Sequence, residues 1–250
     1  MSRALDGSVV RVTLWSSVAF LGLTPITTYV LWLSEGCDPF LPFISDMDLL
    51  ELPGVAFTVG YSISGFLLAL SGTQVGLLRE KWFESVSAGD KWIAINRLAT
   101  LFSLAAGTGL FWISFTPWNE DLTLHIALAN VIFVGSMAWA ICITYCTQRM
   151  SKEDERFARN IRMRAGFSAM GLIALIGMAE RFVRFNGLSL DFNTLQDRVE
   201  SMVGGCVPLD NSLLSQSAAF EWLFAGSMVL VVASLIPEVR ILTGSESEEE

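Results

Sequence analysis

The chain has 250 residues, of which 52% are hydrophobic and 16% are charged, and its mean hydropathy is +0.53. This composition excludes an ordinary soluble domain, so we expect the lipid bilayer to be the solvent of the chain. The formal net charge of −9 gives no reason to expect nucleic-acid binding, because phosphate backbones are bound by basic surfaces.

Six apolar stretches are each long enough to cross a hydrocarbon core of about 30 Å as a helix. Lipid leaves no backbone group unpaired, so the expected fold is all-α: a polytopic bundle of six transmembrane helices in one domain, residues 1–237. The predicted spans are 12–33, 54–78, 92–115, 122–147, 165–185 and 217–237. Residues 238–250, which end in SESEEE, are predicted to form an acidic disordered tail.

The loop charges predict the orientation of the bundle. If both termini and the second and fourth loops share one side, that side holds 13 of the 16 Lys and Arg residues, and only Arg181, Arg184 and Arg198 remain opposite. The basic side is expected to be cytosolic. Both termini are therefore predicted to be cytosolic, and the first loop (35–53) and the last loop (186–216) are predicted to be luminal.

This orientation divides the four cysteines into two pairs. Cys37 and Cys206 lie in the two luminal loops, whereas Cys142 and Cys146 lie at the cytosolic end of the fourth span. A disulfide needs an oxidising compartment, and only the luminal pair has one. We therefore predict a Cys37–Cys206 disulfide that joins the first luminal loop to the last.

Small residues recur along the second and third spans. Gly72 and Gly76 have the G-x-x-x-G spacing that permits close approach of two helices. The partner helix could belong to this chain or to a second copy, and the sequence leaves both alternatives open.

The fourth loop is a basic patch with six cationic residues: Arg149, Lys152, Arg156, Arg159, Arg162 and Arg164. Basic sequence beside a span can hold anionic lipid headgroups, at about 1 kcal/mol for each residue near the surface. The alternative, that these residues serve as a topology determinant and nothing more, is favoured.

Ionisable residues inside the spans are the candidate functional residues, since burial of charge in a membrane is costly. The expected luminal polar cluster consists of His125, Glu180, Arg181, Arg184, Glu221 and Trp222. Glu180 and Arg184 have the i, i+4 spacing of an intrahelical ion pair. Glu221 has no cation nearby in sequence, so we expect it to lie near His125 or Arg181. Structural support, lipid-headgroup recognition and acid–base catalysis all remain open for this cluster.

His125 is the only histidine, which excludes a metal site built on several histidines, and neither a metal nor a cofactor is expected. No serine or cysteine nucleophile is identified by its spacing. Catalysis is therefore undecided, and a non-enzymatic role is favoured.

Over nearly its whole length the chain resembles the Frag, DRAM and Sfk superfamily of six-span membrane proteins. The resemblance rests on GCDPFLPFISDMD, NRLAT, EDLTLHIALANVIF and AAFEWLFAGSMVL in this order. The luminal motif of the family is matched by Pro42, Ile44, Ser45 and Asp46, and its Glu-Trp pair by Glu221 and Trp222. EDLTLHIALANVIF is most similar to the branch of the post-GPI-attachment-to-proteins factor, which remodels GPI-anchor lipids.

The resemblance implies an endomembrane protein of lipid or GPI-anchor remodelling that binds a lipid headgroup or a partner at the luminal cluster. Membrane lipids are the expected partners, with subunits of a membrane complex as further candidates. The alternatives are a non-enzymatic scaffold and a modulator of autophagy or lysosomes. No sorting tyrosine follows Arg240, so the Golgi or the endoplasmic reticulum is favoured over the lysosome or plasma membrane.

Overall fold

A computed structural model describes residues 3–187, 206 and 212–244, and this part of the chain is helical with short connections. Six of its helices are long and apolar enough to cross a membrane, which confirms the predicted all-α, six-span fold. The helices are α1 Gly7–Ser34, α2 Glu51–Ser85, α3 Asp90–Ile113, α4 Leu122–Met150, α5 Ala158–Phe185, α6 Ser212–Ala233 and the short α7 Leu235–Thr243.

Two parts of the predicted organisation differ from the structure or fall outside it. Residues 238–243, assigned to the tail, are the helical end of α7. Residues 245–250 lie outside the described residues. So does the segment 191–203, where apolar residues at spacings of three and four predict a short amphipathic helix.

Local sequence explains several helix ends. The Asp6 carboxylate accepts a hydrogen bond from Ser8 N at 2.9 Å, and the Asp121 carboxylate accepts one from Leu124 N at 2.9 Å. Each bond satisfies one of the backbone donors that the first turn of a helix leaves unpaired. Gly89, at φ +94°, precedes α3 in a conformation that residues with a β-carbon rarely adopt.

The helices form a ring. Each of α1 to α4 packs along the next helix in sequence, α5 packs on α6, and α6 returns to α1. Gly7 lies against Thr243, so the start of α1 and the end of α7 meet at one end of the bundle. Cys37 follows α1 at the other end. We call these the terminal end and the disulfide end; the cytosolic position of the terminal end stays a prediction.

Glycines bring α2 and α3 into backbone contact. A β-carbon on Gly65 would lie 2.5 Å from the carbonyl oxygen of Gly107. Gly72 and Gly76 face the side chains of Ser103 and Thr100 of α3, which leave no room for a β-carbon at either glycine. The G-x-x-x-G pair therefore lies in a seam within the chain.

We predict that Gly65→Ala destabilises the bundle, because the added methyl group would collide with the α3 backbone, which cannot move aside as a side chain can. Such overpacking costs about 1–3 kcal/mol. The matched control is Gly226→Ala on α6, where a β-carbon has nothing within 4 Å. Thermal unfolding in detergent should show a lower midpoint for Gly65→Ala alone. Equal unfolding midpoints for the two variants would contradict the close contact between α2 and α3 at Gly65.

Candidate functional site

The disulfide end is closed by a covalent link between its two loops. Cys37 and Cys206 form a disulfide with their α-carbons 5.3 Å apart, which confirms the predicted pairing. Cys37 is buried against the aromatic cluster around Trp32 and Phe57. The bond ties the start of the first long loop to the approach to α6.

Ile44, Ser45 and Asp46 of the predicted luminal motif lie in a 3-10 helix, Ile44–Leu49, at the disulfide end of the bundle. Within it Asp46 is only 4% exposed. Its carboxylate accepts hydrogen bonds from Phe43 N at 3.0 Å and from Trp118 Nε1 at 3.2 Å. Burial raises the pKa of Asp46 to about 7 although both hydrogen bonds act in the opposite direction.

Two consecutive residues of α6 attach this loop to the bundle. The Glu221 carboxylate oxygen Oε2 accepts a hydrogen bond from Ile44 N at 2.7 Å. Trp222 Nε1 donates one to the carbonyl oxygen of Pro42 at 2.8 Å. Two of the motifs that carry the family resemblance are therefore in direct contact, and we call this pair of bonds the loop clamp.

Beneath the loop clamp lies a cavity of about 430 Å³, within the range of roughly 300–1,000 Å³ that holds small ligands. All six long helices line it. The polar residues among its lining are concentrated towards the disulfide end, and apolar side chains line the part towards the terminal end. On α4 the lining runs from Leu122 to Trp139, which is about 26 Å of helix and close to the thickness of a hydrocarbon core.

His125 lies in this cavity, one turn into α4, and is 6% exposed. Its Nδ1 is 2.6 Å from the carbonyl oxygen of Thr116. Since a carbonyl can only accept, Nδ1 carries the hydrogen, and in the neutral ring Nε2 is then an acceptor. The Tyr61 ring of α2 lines the same polar end.

The predicted polar cluster is divided into two groups. His125 and Glu221 share the cavity, but the hydrogen bond of Glu221 goes to a backbone amide. Glu180 pairs with both Arg181 and Arg184, the latter with the predicted i, i+4 spacing. Arg181 Nε also donates to Gln216 Oε1 at 2.6 Å, which links α5 to α6 outside the cavity lining.

The strongest charge network lies at the terminal end and was not anticipated. Glu238 of α7, fully buried, accepts from Arg79 Nε at 2.5 Å and from Arg164 Nη1 at 2.6 Å. Arg164 further binds Thr147 and the backbone and hydroxyl oxygens of Ser234. We call these three charged side chains the buried triad.

The buried triad corrects the basic patch, because Arg164 belongs to the core and is 0% exposed. Elsewhere in the patch, Arg149 pairs with Glu153 and Arg156 with Asp154. The side chains of Lys152, Arg159 and Arg162 are exposed. A sequence signal for the buried position did exist: Asn160, Arg164 and Ser168 recur every four residues, and all three are buried on one face of α5.

Six apolar helices that enclose a cavity of membrane depth define this chain as a multi-pass integral membrane protein. The family model described as Frag1/DRAM/Sfk1/Cwh43P N-terminal domain matches residues 10–241, and the chain belongs to this family. No curated protein and no solved structure matches the chain.

We predict that Glu238→Gln is strongly destabilising, because it leaves two arginines buried without a counter-charge. Loss of one partner from a buried ion pair costs about 3–5 kcal/mol. The control is Glu153→Gln, which removes an exposed partner of Arg149. Thermal unfolding and the yield of folded protein should separate the two variants. If Glu238→Gln unfolds at the temperature of Glu153→Gln, the triad does not support the bundle.

A second prediction concerns the pH dependence of the loop at the disulfide end. Burial raises the pKa of both Asp46 and Asp48 to about 7, from 3.8. Their contribution to the free energy of unfolding is complete below about pH 4 and is lost as the pH rises through about 7. The melting temperature should therefore fall between about pH 5 and pH 8. The double variant Asp46→Asn, Asp48→Asn should show a smaller fall; an equal fall would assign the pH dependence to other groups.

Proposed function

We propose that this chain is an endomembrane protein of lipid or GPI-anchor remodelling that binds a lipid in the central cavity. The headgroup lies at the polar disulfide end, and the hydrocarbon chain extends along the apolar part. The observation that carries the proposal is a cavity of about 430 Å³ whose polar end is built by the two family motifs. The disulfide end is then luminal, where its bridged cysteines meet an oxidising compartment.

The shape and the chemistry of the cavity support a lipid over a compact soluble ligand. The apolar lining includes Leu68 of α2, Leu175 of α5 and Val232 of α6, so it reaches deep into the bundle. A hydrocarbon chain gains little free energy by leaving lipid for such a lining, since lipid tails are as apolar as leucine. The apolar part therefore selects by shape, and the polar end sets the affinity.

The region between α4 and α5 is the proposed entrance for the lipid. Asn130 of α4 and Ala179 of α5 line the cavity and are also exposed. Among the described residues, these two helices are in looser contact than any other pair of sequential neighbours from α1 to α6. A lipid could enter here sideways from the bilayer without crossing the loop clamp.

We propose binding or presentation of the lipid, without catalysis by this chain alone, in the Golgi or the endoplasmic reticulum. His125 Nε2 is the one basic nitrogen among the described residues that line the cavity, and no described serine or cysteine forms a hydrogen bond with this ring. A partner enzyme would act on the presented lipid. The exposed basic residues Lys152, Arg159 and Arg162 are left to contact anionic headgroups on the opposite side of the membrane.

The test is to fill the cavity. Ala129→Phe places a ring in the lining of α4, whereas Ala127→Phe, two residues away, places the same ring on the exposed face of the same helix. Native mass spectrometry of the purified variants should find co-purified lipid with Ala127→Phe and much less with Ala129→Phe. In cells that lack the chain, only Ala127→Phe should restore the lipid composition of GPI-anchored proteins at equal protein abundance.

Three outcomes would contradict parts of the proposal. Equal lipid occupancy in the two variants would rule out the cavity as the binding site. Lipid loss with unaltered GPI anchors would leave a lipid-binding protein of another pathway. If both variants carry no lipid and both restore the cells, a scaffold role is the better interpretation.

A further inference from the structure

The polar end of the cavity presents hydrogen-bond acceptors. Glu221 uses Oε2 for Ile44 N, and Oε1 has no hydrogen-bond partner among the residues that the structure describes. The Tyr61 hydroxyl and the Ser45 hydroxyl also lack partners within the described ranges, and both residues line the cavity. With Nδ1 occupied by Thr116, the neutral His125 ring offers the lone pair of Nε2.

The Glu221 carboxyl group has no cationic partner among the residues that the structure describes. No Lys or Arg occurs among the described residues that line the cavity, and both oxygens of Asp46 are already taken by Phe43 N and Trp118 Nε1. An ionised Glu221 in this position needs a positive partner, since an unpaired charge within a membrane is costly. A ligand that brings a cation and N–H donors would satisfy the charge and the acceptors together.

We propose that the cavity binds a single-chain lipid with a primary ammonium headgroup, such as a long-chain amino alcohol. The ammonium group donates to Glu221 Oε1, with the Tyr61 hydroxyl and His125 Nε2 as further acceptors, and the chain follows the apolar lining. This assignment rests on the proposed function and names its ligand class.

Three competing headgroups fit less well. A quaternary ammonium has no N–H to donate to these acceptors. A phosphate close to the amine would meet Glu221 without a compensating arginine or lysine from the described lining. A neutral amide would leave the carboxylate unpaired.

The experiment measures equilibrium binding of three probes to the full chain in lipid nanodiscs: sphinganine, N-acetylsphinganine and sphinganine phosphate. They share one hydrocarbon chain and differ at the head. Sphinganine should bind at least about tenfold more tightly than the other two, because a charge-assisted hydrogen bond to a desolvated carboxylate exceeds the roughly 1.4 kcal/mol that a tenfold change requires.

The decisive variant is Glu221→Gln. Its amide oxygen can still accept from Ile44 N, so the loop clamp can form, but the negative charge is gone. Sphinganine affinity should fall by about tenfold or more, and N-acetylsphinganine affinity should stay the same. Glu80→Gln is the matched control, because Glu80 pairs with Arg97 outside the cavity lining. Tyr61→Phe, which removes one acceptor and keeps the ring, provides the test if Glu221→Gln does not fold.

The outcomes separate the assignment of an amine headgroup from the more general proposal that the cavity binds a lipid. Equal affinity of the wild-type chain for sphinganine and N-acetylsphinganine, or tighter binding of sphinganine phosphate, would overturn the amine assignment while leaving a lipid-binding cavity. Unchanged sphinganine affinity in both Glu221→Gln and Tyr61→Phe would do the same. Failure of every probe to bind the wild-type chain would overturn the amine assignment, and combined with equal lipid occupancy of Ala129→Phe and Ala127→Phe it would overturn the lipid-binding function as well.

Discussion

The site depends on the attachment of the first long loop to α6. Ile44 N and the Pro42 carbonyl are backbone groups in a loop folded over a membrane bundle, where a group without a partner would cost several kcal/mol. Glu221 and Trp222 satisfy one each, at 2.7 and 2.8 Å. The Cys37–Cys206 disulfide fixes the same loop from its other side. Because these bonds hold the loop in place, Ser45 and Asp46 can line the cavity beneath it.

The features that follow from hydrophobicity and charge distribution were accessible from the sequence. Apolar run length identifies the six spans, and the sorting of Lys and Arg between loops places Cys37 and Cys206 on one side, where they form a bond. The loop clamp was harder to predict from the sequence. Glu221 was expected near His125 or Arg181, and it lines the cavity together with His125. The backbone amide of Ile44, 177 residues away, from which it accepts a hydrogen bond, was not expected. Every residue except proline carries such a donor, so no sequence pattern identifies which one will be used.

The misassignment of Arg164 has a different cause. A cationic residue beside a predicted span end fits the topology rule equally well whether it faces solvent or a buried partner. The difference lies in Glu238, 74 residues further on, which a cut-off on apolar run length assigns to the tail. Hydropathy averages along the chain, while the pairing of Glu238 with Arg79 and Arg164 is decided across the bundle. The four-residue spacing of polar positions on α5 was the better guide, because it reports the face of the helix.

The two ends of the bundle differ in the partners that they provide for a carboxylate at membrane depth. Glu238 is fully buried and meets two guanidinium groups and the Thr147 hydroxyl, so its charge is more than balanced by the protein. Glu221 meets one backbone amide and an accessible cavity. A carboxylate with a purely structural role is expected to be paired with a cation, since an uncompensated charge in this environment opposes folding. The buried carboxylate is paired with cations at the terminal end and has no cationic partner among the described residues at the disulfide end. This difference favours a binding role for the disulfide end.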